Sequence, residues 1–251
     1  MSTWRVEWLR LVRTRRLLAL MIVFIFLGFV EPLGAKYASQ LINSAGSAEQ
    51  IKVVIPPPVP ADGISAYLND AFVLGLIVSV VVAAYACAVD SDPALSVFYR
   101  SRARSFSALL LPRAVVAGGG IVGAFLVGLL VAWYETAVLI GAPEVVPMLF
   151  SALFGSVYLV FAVAVTALAG TVARSRLATV GVTLVLLLSC PIVGELPGLA
   201  RWLPSELVGA PAALLRHTAV DHYPRALAMA VVLVVGALVL ASFRGSRREV
   251  G

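Results

Sequence analysis

The chain has 251 residues, 61% hydrophobic and 13% charged, with a mean hydropathy of +1.00, whereas soluble domains average about half apolar and a quarter charged. A water-facing surface cannot be built from so little charge, which excludes a soluble globular protein and makes membrane lipid the first partner. The formal net charge of +6 would suggest nucleic acid in a soluble chain, but here the cations fall between apolar runs and read as topology signals, so no nucleic-acid partner is expected.

The chain opens on Trp4, Trp8, Leu11 and Val12 at i, i+4, i+7 and i+8, with Arg5, Glu7, Arg10 and Arg13 on other faces. This pattern predicts an interfacial helix over 1–16, tryptophans at headgroup level and arginines such as Arg13 against anionic phosphates. A secretory signal is not expected: the basic region is 16 residues long and the apolar run continues past Glu31 and Pro32 without a small-residue cleavage site.

Runs free of Asp, Glu, Lys and Arg follow, and one such charge at the centre of a spanning helix costs roughly 2.5 to 3.5 kcal/mol. Five runs are long, from Ala71 to Val89, Ala114 to Tyr134, Val145 to Ala173, Leu177 to Gly194 and Ala226 to Phe243; a sixth, Leu17 to Ala35, carries only Glu31. A bilayer requires about 20 residues, so six spans are predicted near 17–37, 68–89, 110–134, 145–173, 176–194 and 225–243. The expected fold is one all-α integral membrane domain with six transmembrane helices, flanked by the interfacial helix, a short cytoplasmic helix and a broken outer segment.

With the N terminus inside, fourteen Lys and Arg residues fall on one side, from Arg5 and Arg10 to Arg247 and Arg248. Five fall on the other: Lys36, Lys52, Arg201, Arg216 and Arg225. Both termini are therefore expected in the cytoplasm. Arg outnumbers Lys 17 to 2 among abundant Ala, Val, Leu and Gly, which points to a bacterial source and hence to the bacterial cytoplasmic membrane.

In the first outer loop, Ile55-Pro56-Pro57-Pro58-Val59-Pro60 reads as a stiff connector. The loop after the second span begins Asp90-Ser91-Asp92-Pro93, where Asp92 suits an N-cap and Pro93 the first helical position. A short helix over 93–104 would gather Leu95, Phe98 and Tyr99 on one face, with Arg100, Arg102 and Arg104 making the loop basic. Such a knob suits a partner's groove, and its alternative is a helix resting on lipid. In the third span Gly118, Gly119, Gly120, Gly123 and Gly128 include Gly119-x-x-x-Gly123, a pattern for close helix approach.

Prolines 191, 197, 204, 211 and 224 break the stretch before the last span, so 195–224 is predicted as an outer, re-entrant segment of short pieces, with Trp202 and Leu203 at the interface. His217, Asp221 and His222 read as a solvated cap rather than a metal site, and Cys87 and Cys190 as apolar packing. Glu31, Glu135 and Glu195 lie near outer span ends and could ring a vestibule. Ordinary helix-end solvation is favoured for Glu135 and Glu195.

The middles of the six runs hold no Asp, Glu, Lys, Arg or His, so no proton relay is expected. Neither a GxxxxGK[ST] stretch nor a Gly-x-Ser-x-Gly elbow nor HExxH is present. No catalytic, cofactor-binding or metal-binding residue is predicted in this chain.

The order of parts resembles bacterial permease subunits of type-2 ATP-binding-cassette (ABC) exporters. The match is carried by the basic lead-in Trp4 to Arg16, the first span ending Gly28-Phe29-Val30-Glu31-Pro32-Leu33, the inner loop Asp90 to Arg113, and the proline-broken segment before span six. The resemblance covers essentially the whole chain, in architecture rather than in an invariant motif. It implies a permease that pairs with a second copy or close paralogue and with two cytoplasmic ATPase subunits, which bind ATP and Mg. By the same carry-over, 93–104 looks like the coupling helix that rests on the ATPase, Trp4 to Arg16 like the connecting helix, and Pro197 to Pro211 like the outer helices that close the exit. An apolar cavity poor in charge suits amphipathic or lipid-like substrates. The alternatives are a secondary carrier or channel, and a non-transport membrane scaffold.

Overall fold

The computed structural model describes residues 3–45, 57–89, 105–173, 175–194, 202–215 and 223–247. Every regular element among them is helical. The first, α1 (Thr3–Arg13), is joined to α2 (Arg16–Ala45) by Thr14 and Arg15 alone. Arg15 takes a left-handed φ of 58°, at a cost of roughly 1 to 2 kcal/mol for a residue with a Cβ. That conformation ends α1, with the Arg15 N–H donating to the Val12 carbonyl at 3.1 Å, and redirects the chain into α2.

The second crossing is one helical path: α3 (Pro60–Asp70), a π-helical turn (Ala71–Gly75) and α4 (Leu76–Cys87). Then come α5 (Phe106–Leu139), α6 (Val145–Val172), α7 (Arg176–Gly194), the short α8 (Glu206–Leu215) and α9 (Tyr223–Arg247). Six of these paths are long and apolar enough to cross a membrane: α2, α3 to α4, α5, α6, α7 and α9. Their outer surface is what lipid requires. On α7, Leu177, Val185 and Ile192 are 82%, 68% and 70% exposed, while Thr179, Thr183 and Leu187 are its buried residues. A continuous apolar exterior on that scale marks contact with a membrane rather than with water.

Two crossings start earlier than the hydropathy runs imply. The second helix begins at Pro60, not near 68, because Pro60 occupies the first turn and the Asp62 carboxylate accepts the Val59 N–H at 3.0 Å. The third begins at Phe106, not near 110, where Ser105 Oγ accepts the Ala108 N–H at 3.3 Å.

The core is built around an aromatic cluster. Phe125 on α5 meets Phe24 of α2 edge-on at 6.0 Å, stacks with Tyr67 of α3 at 6.1 Å and lies 5.8 Å from Phe72, which meets Tyr158 of α6 edge-on at 5.6 Å. The buried Tyr67 hydroxyl donates to the Phe125 carbonyl at 2.8 Å, so its one polar atom is satisfied in an apolar interior. Three other buried hydroxyls bond one turn back: Ser79 to the Gly75 carbonyl, Ser151 to Pro147 and Thr166 to Ala162.

Helices α2 and α5 approach through glycine, but not through the expected pair. A Cβ on Gly28 would lie 2.5 Å from the Gly128 carbonyl oxygen, and one on Gly128 would lie 2.5 Å from the Phe24 carbonyl oxygen and from the Tyr67 hydroxyl. Around Gly119 and Gly123 nothing lies within 4 Å. The Gly119-x-x-x-Gly123 motif therefore makes no close approach within the described residues; Gly28 and Gly128 do.

Candidate functional site

The bundle is polarised. One end gathers the start of α2, the end of α4, the start of α5, the end of α6 and the start of α7. The packing ties these together: the Gly170 Cβ position faces Ala88, and Arg16 and Arg176 both approach Tyr85. The end of α9 joins them, where a Cβ on Gly245 would overlap the Phe106 ring. This end carries Arg10, Arg13, Arg15, Arg16, Arg113, Arg176, Arg244 and Arg247. The other end carries Glu31, Asp62, Asp70, Glu135, Glu144 and Glu206 with Lys36 and Arg225.

At the Arg-rich end, α1 is fastened to the bundle by a buried ion pair. Glu7 and Arg113 are both almost fully buried, and Arg113 Nε donates to Glu7 Oε1 at 3.2 Å. Arg10 Nη1 donates to the same carboxylate at 3.1 and 3.3 Å. One turn on, Leu11 is buried, with Cδ2 2.7 Å from the Cβ position of Gly120. The inward face of α1 is thus Glu7 and Leu11, whereas Trp4, Trp8 and Val12 remain about half exposed. Glu7 is the residue that sequence reasoning missed: local periodicity sets it on a polar face, and its partner lies 106 residues away. Arg13 is exposed at the end of α1.

Beside this latch, Arg16 and Arg176 each place a guanidinium carbon 5.0 Å from the centre of the Tyr85 ring. The three residues come from α2, α7 and α4, so one ring gathers two cations from separate crossings.

At the acidic end, Glu31 on α2 and Asp70 at the close of α3 are near enough to interact electrostatically. Both residues sit inside spanning helices, and the π-helical turn follows Asp70 directly. Paired acids within a span are rare and mark ion or proton paths. The predicted second span, 68–89, held Asp70 at its outer edge; with the helix beginning at Pro60, Asp70 lies further inside the crossing. Nearby, Ser65 Oγ, Trp133 Nε1 and Thr136 Oγ1 are buried without a hydrogen-bond partner, which makes this the polar part of the interior.

Of the other expected vestibule residues, Glu135 is half-buried on α5 at this end, while Glu195 lies outside the described residues. So do Leu95, Phe98, Tyr99, Arg100, Arg102 and Arg104, together with His217, Asp221 and His222. In the 195–224 stretch the described parts are 202–215, with α8 as a short apolar helix against α6, and 223–224, which open α9. Among the described residues, no group of three or more His, Cys, Asp or Glu side chains converges as a metal site.

Among the described residues the fold is all-helical, with six helices long and apolar enough to cross a membrane, as in a multi-pass membrane protein. Comparison with protein-family models finds no match, and neither curated proteins nor solved structures supply one.

Proposed function

We propose that this chain is the transmembrane subunit of an ABC exporter, forming half of a path for an amphipathic or lipid-like substrate while a separate cytoplasmic ATPase hydrolyses ATP. The observation that supports this reading most is the lead-in helix: α1 joins α2 through two residues and is held to the third span by Glu7 and Arg113. A rigid helix latched in that way transmits movement from a partner on the Arg-rich side into the bundle, as rigid-body switching requires. The positive-inside rule puts the Arg-rich end in the cytoplasm of a bacterial cell, with both termini. Residues 93–104, with Leu95, Phe98 and Tyr99, would then dock on the ATPase, and a second permease would complete the cavity.

In that mechanism ATP binding by the partner favours one of two cavity orientations and hydrolysis restores the other. The test is retention of an ATPase by the affinity-purified full chain from its own membranes. Phe98→Asp is expected to abolish retention while leaving insertion intact; retention unaffected by that change defeats the docking assignment.

A second reading, a secondary carrier, is favoured by the Glu31 and Asp70 pair inside the spans. Glu31→Gln with Asp70→Asn separates the two. A carrier loses proton- or cation-driven substrate flux in vesicles, whereas an exporter keeps ATP-dependent flux that a pH gradient does not drive.

A further inference from the structure

We propose that the cleft between α6, α7 and α9 holds one acyl chain of a phospholipid from the leaflet at the acidic end. The site stands on the six spans and does not depend on the exporter reading.

Among the described residues, α9 and α7 each pack along α6 but form no helix pair with one another. The gap they leave is a cleft of about 400 Å³, within the size range of small-molecule sites. Its floor includes Phe161 and Leu187, both buried, while Leu186, Leu233 and Leu240 on its walls are exposed, so it opens sideways onto the surface that faces lipid. The lining runs over 161–168, 186–193 and 233–240, about 10 Å of rise on each helix.

The lining holds no charged side chain, and its polar side chains are Ser189 and Cys190. Ser189 Oγ and Cys190 Sγ each donate to the Leu186 carbonyl of their own helix, at 2.9 and 3.3 Å, so neither donates to an occupant. Water or a polar headgroup would lose hydrogen bonds in such a place, and an empty gap would forfeit dispersion contacts. A hydrocarbon chain supplies those contacts and needs no polar partner. A helix of a second copy fits less well, because close approach of spanning helices relies on small residues. Here Gly236 and Ala237 lie on one wall, against phenylalanine, leucine and valine around them.

The direction of entry follows from the acidic end. Leu203 lines the cleft with its Cδ1 3.5 Å from the Cβ position of Gly194, the last residue of α7. The adjacent Trp202 is about half exposed, as suits a tryptophan at headgroup level. The chain therefore descends from that leaflet while its headgroup stays outside the cleft.

The test is photocrosslinking of the full chain in phosphatidylcholine vesicles doped with phosphatidylcholine that carries a diazirine midway along one acyl chain, with adducts mapped by mass spectrometry. Adducts are expected to concentrate on Leu186, Cys190, Leu233 and Leu240 rather than on Ile22 and Phe26 of α2, which are also exposed. Gly236→Leu fills the cleft from a position with nothing within 4 Å. It should cut labelling of the cleft by at least about tenfold, since the new side chain replaces several carbons of the bound one, and leave labelling of α2 unchanged. Gly181→Leu, at an equally open position on α7 outside the cleft, should leave both unchanged. Cys190→Phe narrows the cleft from α7 and serves if Gly236→Leu does not insert.

Uniform labelling of all lipid-facing helices, or cleft labelling that survives the filling variants, overturns the proposal. Oxidative crosslinking of two copies through Cys190, with the cleft unlabelled, would assign the cleft to a second copy and likewise overturn the acyl chain as its occupant.

Discussion

Replacing Gly128 by alanine tests the packing of the bundle against a control on the same helix. The new methyl group would lie 2.5 Å from the Phe24 carbonyl oxygen and from the Tyr67 hydroxyl. Ordinary contact begins near 3.4 Å, so α2 and Tyr67 must each yield by about 0.9 Å. Overpacking of this kind costs about 1 to 3 kcal/mol. Displacing Tyr67 from the Phe125 carbonyl adds about 1 kcal/mol, and the helix preference of alanine returns about 0.5 to 1 kcal/mol. The net loss is about 2 kcal/mol, equivalent to roughly 4 to 8 °C in Tm for a chain of this size. Gly123→Ala meets nothing within 4 Å and should leave Tm unchanged or slightly raised. Thermal unfolding in detergent, followed by the monodisperse fraction on size exclusion, gives both values. Equal shifts, or a larger loss at Gly123, would refute the close approach of α2 and α5.

Glu7→Gln leaves Arg113 and Arg10 without their shared carboxylate, and breaking a buried pair costs roughly 3 to 5 kcal/mol; limited proteolysis should then release α1 before the bundle unfolds. Replacing both partners, Glu7→Leu with Arg113→Met, should be much milder in the same assay, since no charge is stranded. Tyr67→Phe removes one hydroxyl donor from the Phe125 carbonyl while keeping the ring stack, for a loss of about 1 kcal/mol in thermal unfolding. The Glu31→Gln and Asp70→Asn variants should insert normally with unchanged Tm and, under the exporter reading, keep ATP-dependent flux in vesicles.

The six spans were legible because charge is excluded from hydrocarbon and the excluded runs are long. What stayed hidden depended on faces and partners. The start of α3 carries Asp62, Gly63, Ser65 and Asn69, which break an apolar run although the helix continues: Asp62 bonds its own N-terminus, and Gly63 sits against Thr136. Hydropathy therefore set Asp70 at the outer edge of the second span and concealed its interaction with Glu31. Glycine spacing picked Gly119 and Gly123, because spacing alone does not say which side of α5 faces α2. Arg113 read as a topology marker, since nothing local links it to Glu7. Tyr85, an aromatic near the end of a run, gave no sign that arginines from two other crossings meet on its ring.

Docking of an ATPase on residues 93–104 is read most directly by isolating the affinity-tagged full chain from its own membranes and measuring ATP hydrolysis and subunit composition together. A nucleotide-hydrolysing subunit should copurify in stoichiometric amount and be lost with Phe98→Asp, while the inserted chain itself is recovered at the same level. Recovery of the intact chain without any such subunit, or ATP cleavage by the chain alone, would contradict the exporter reading.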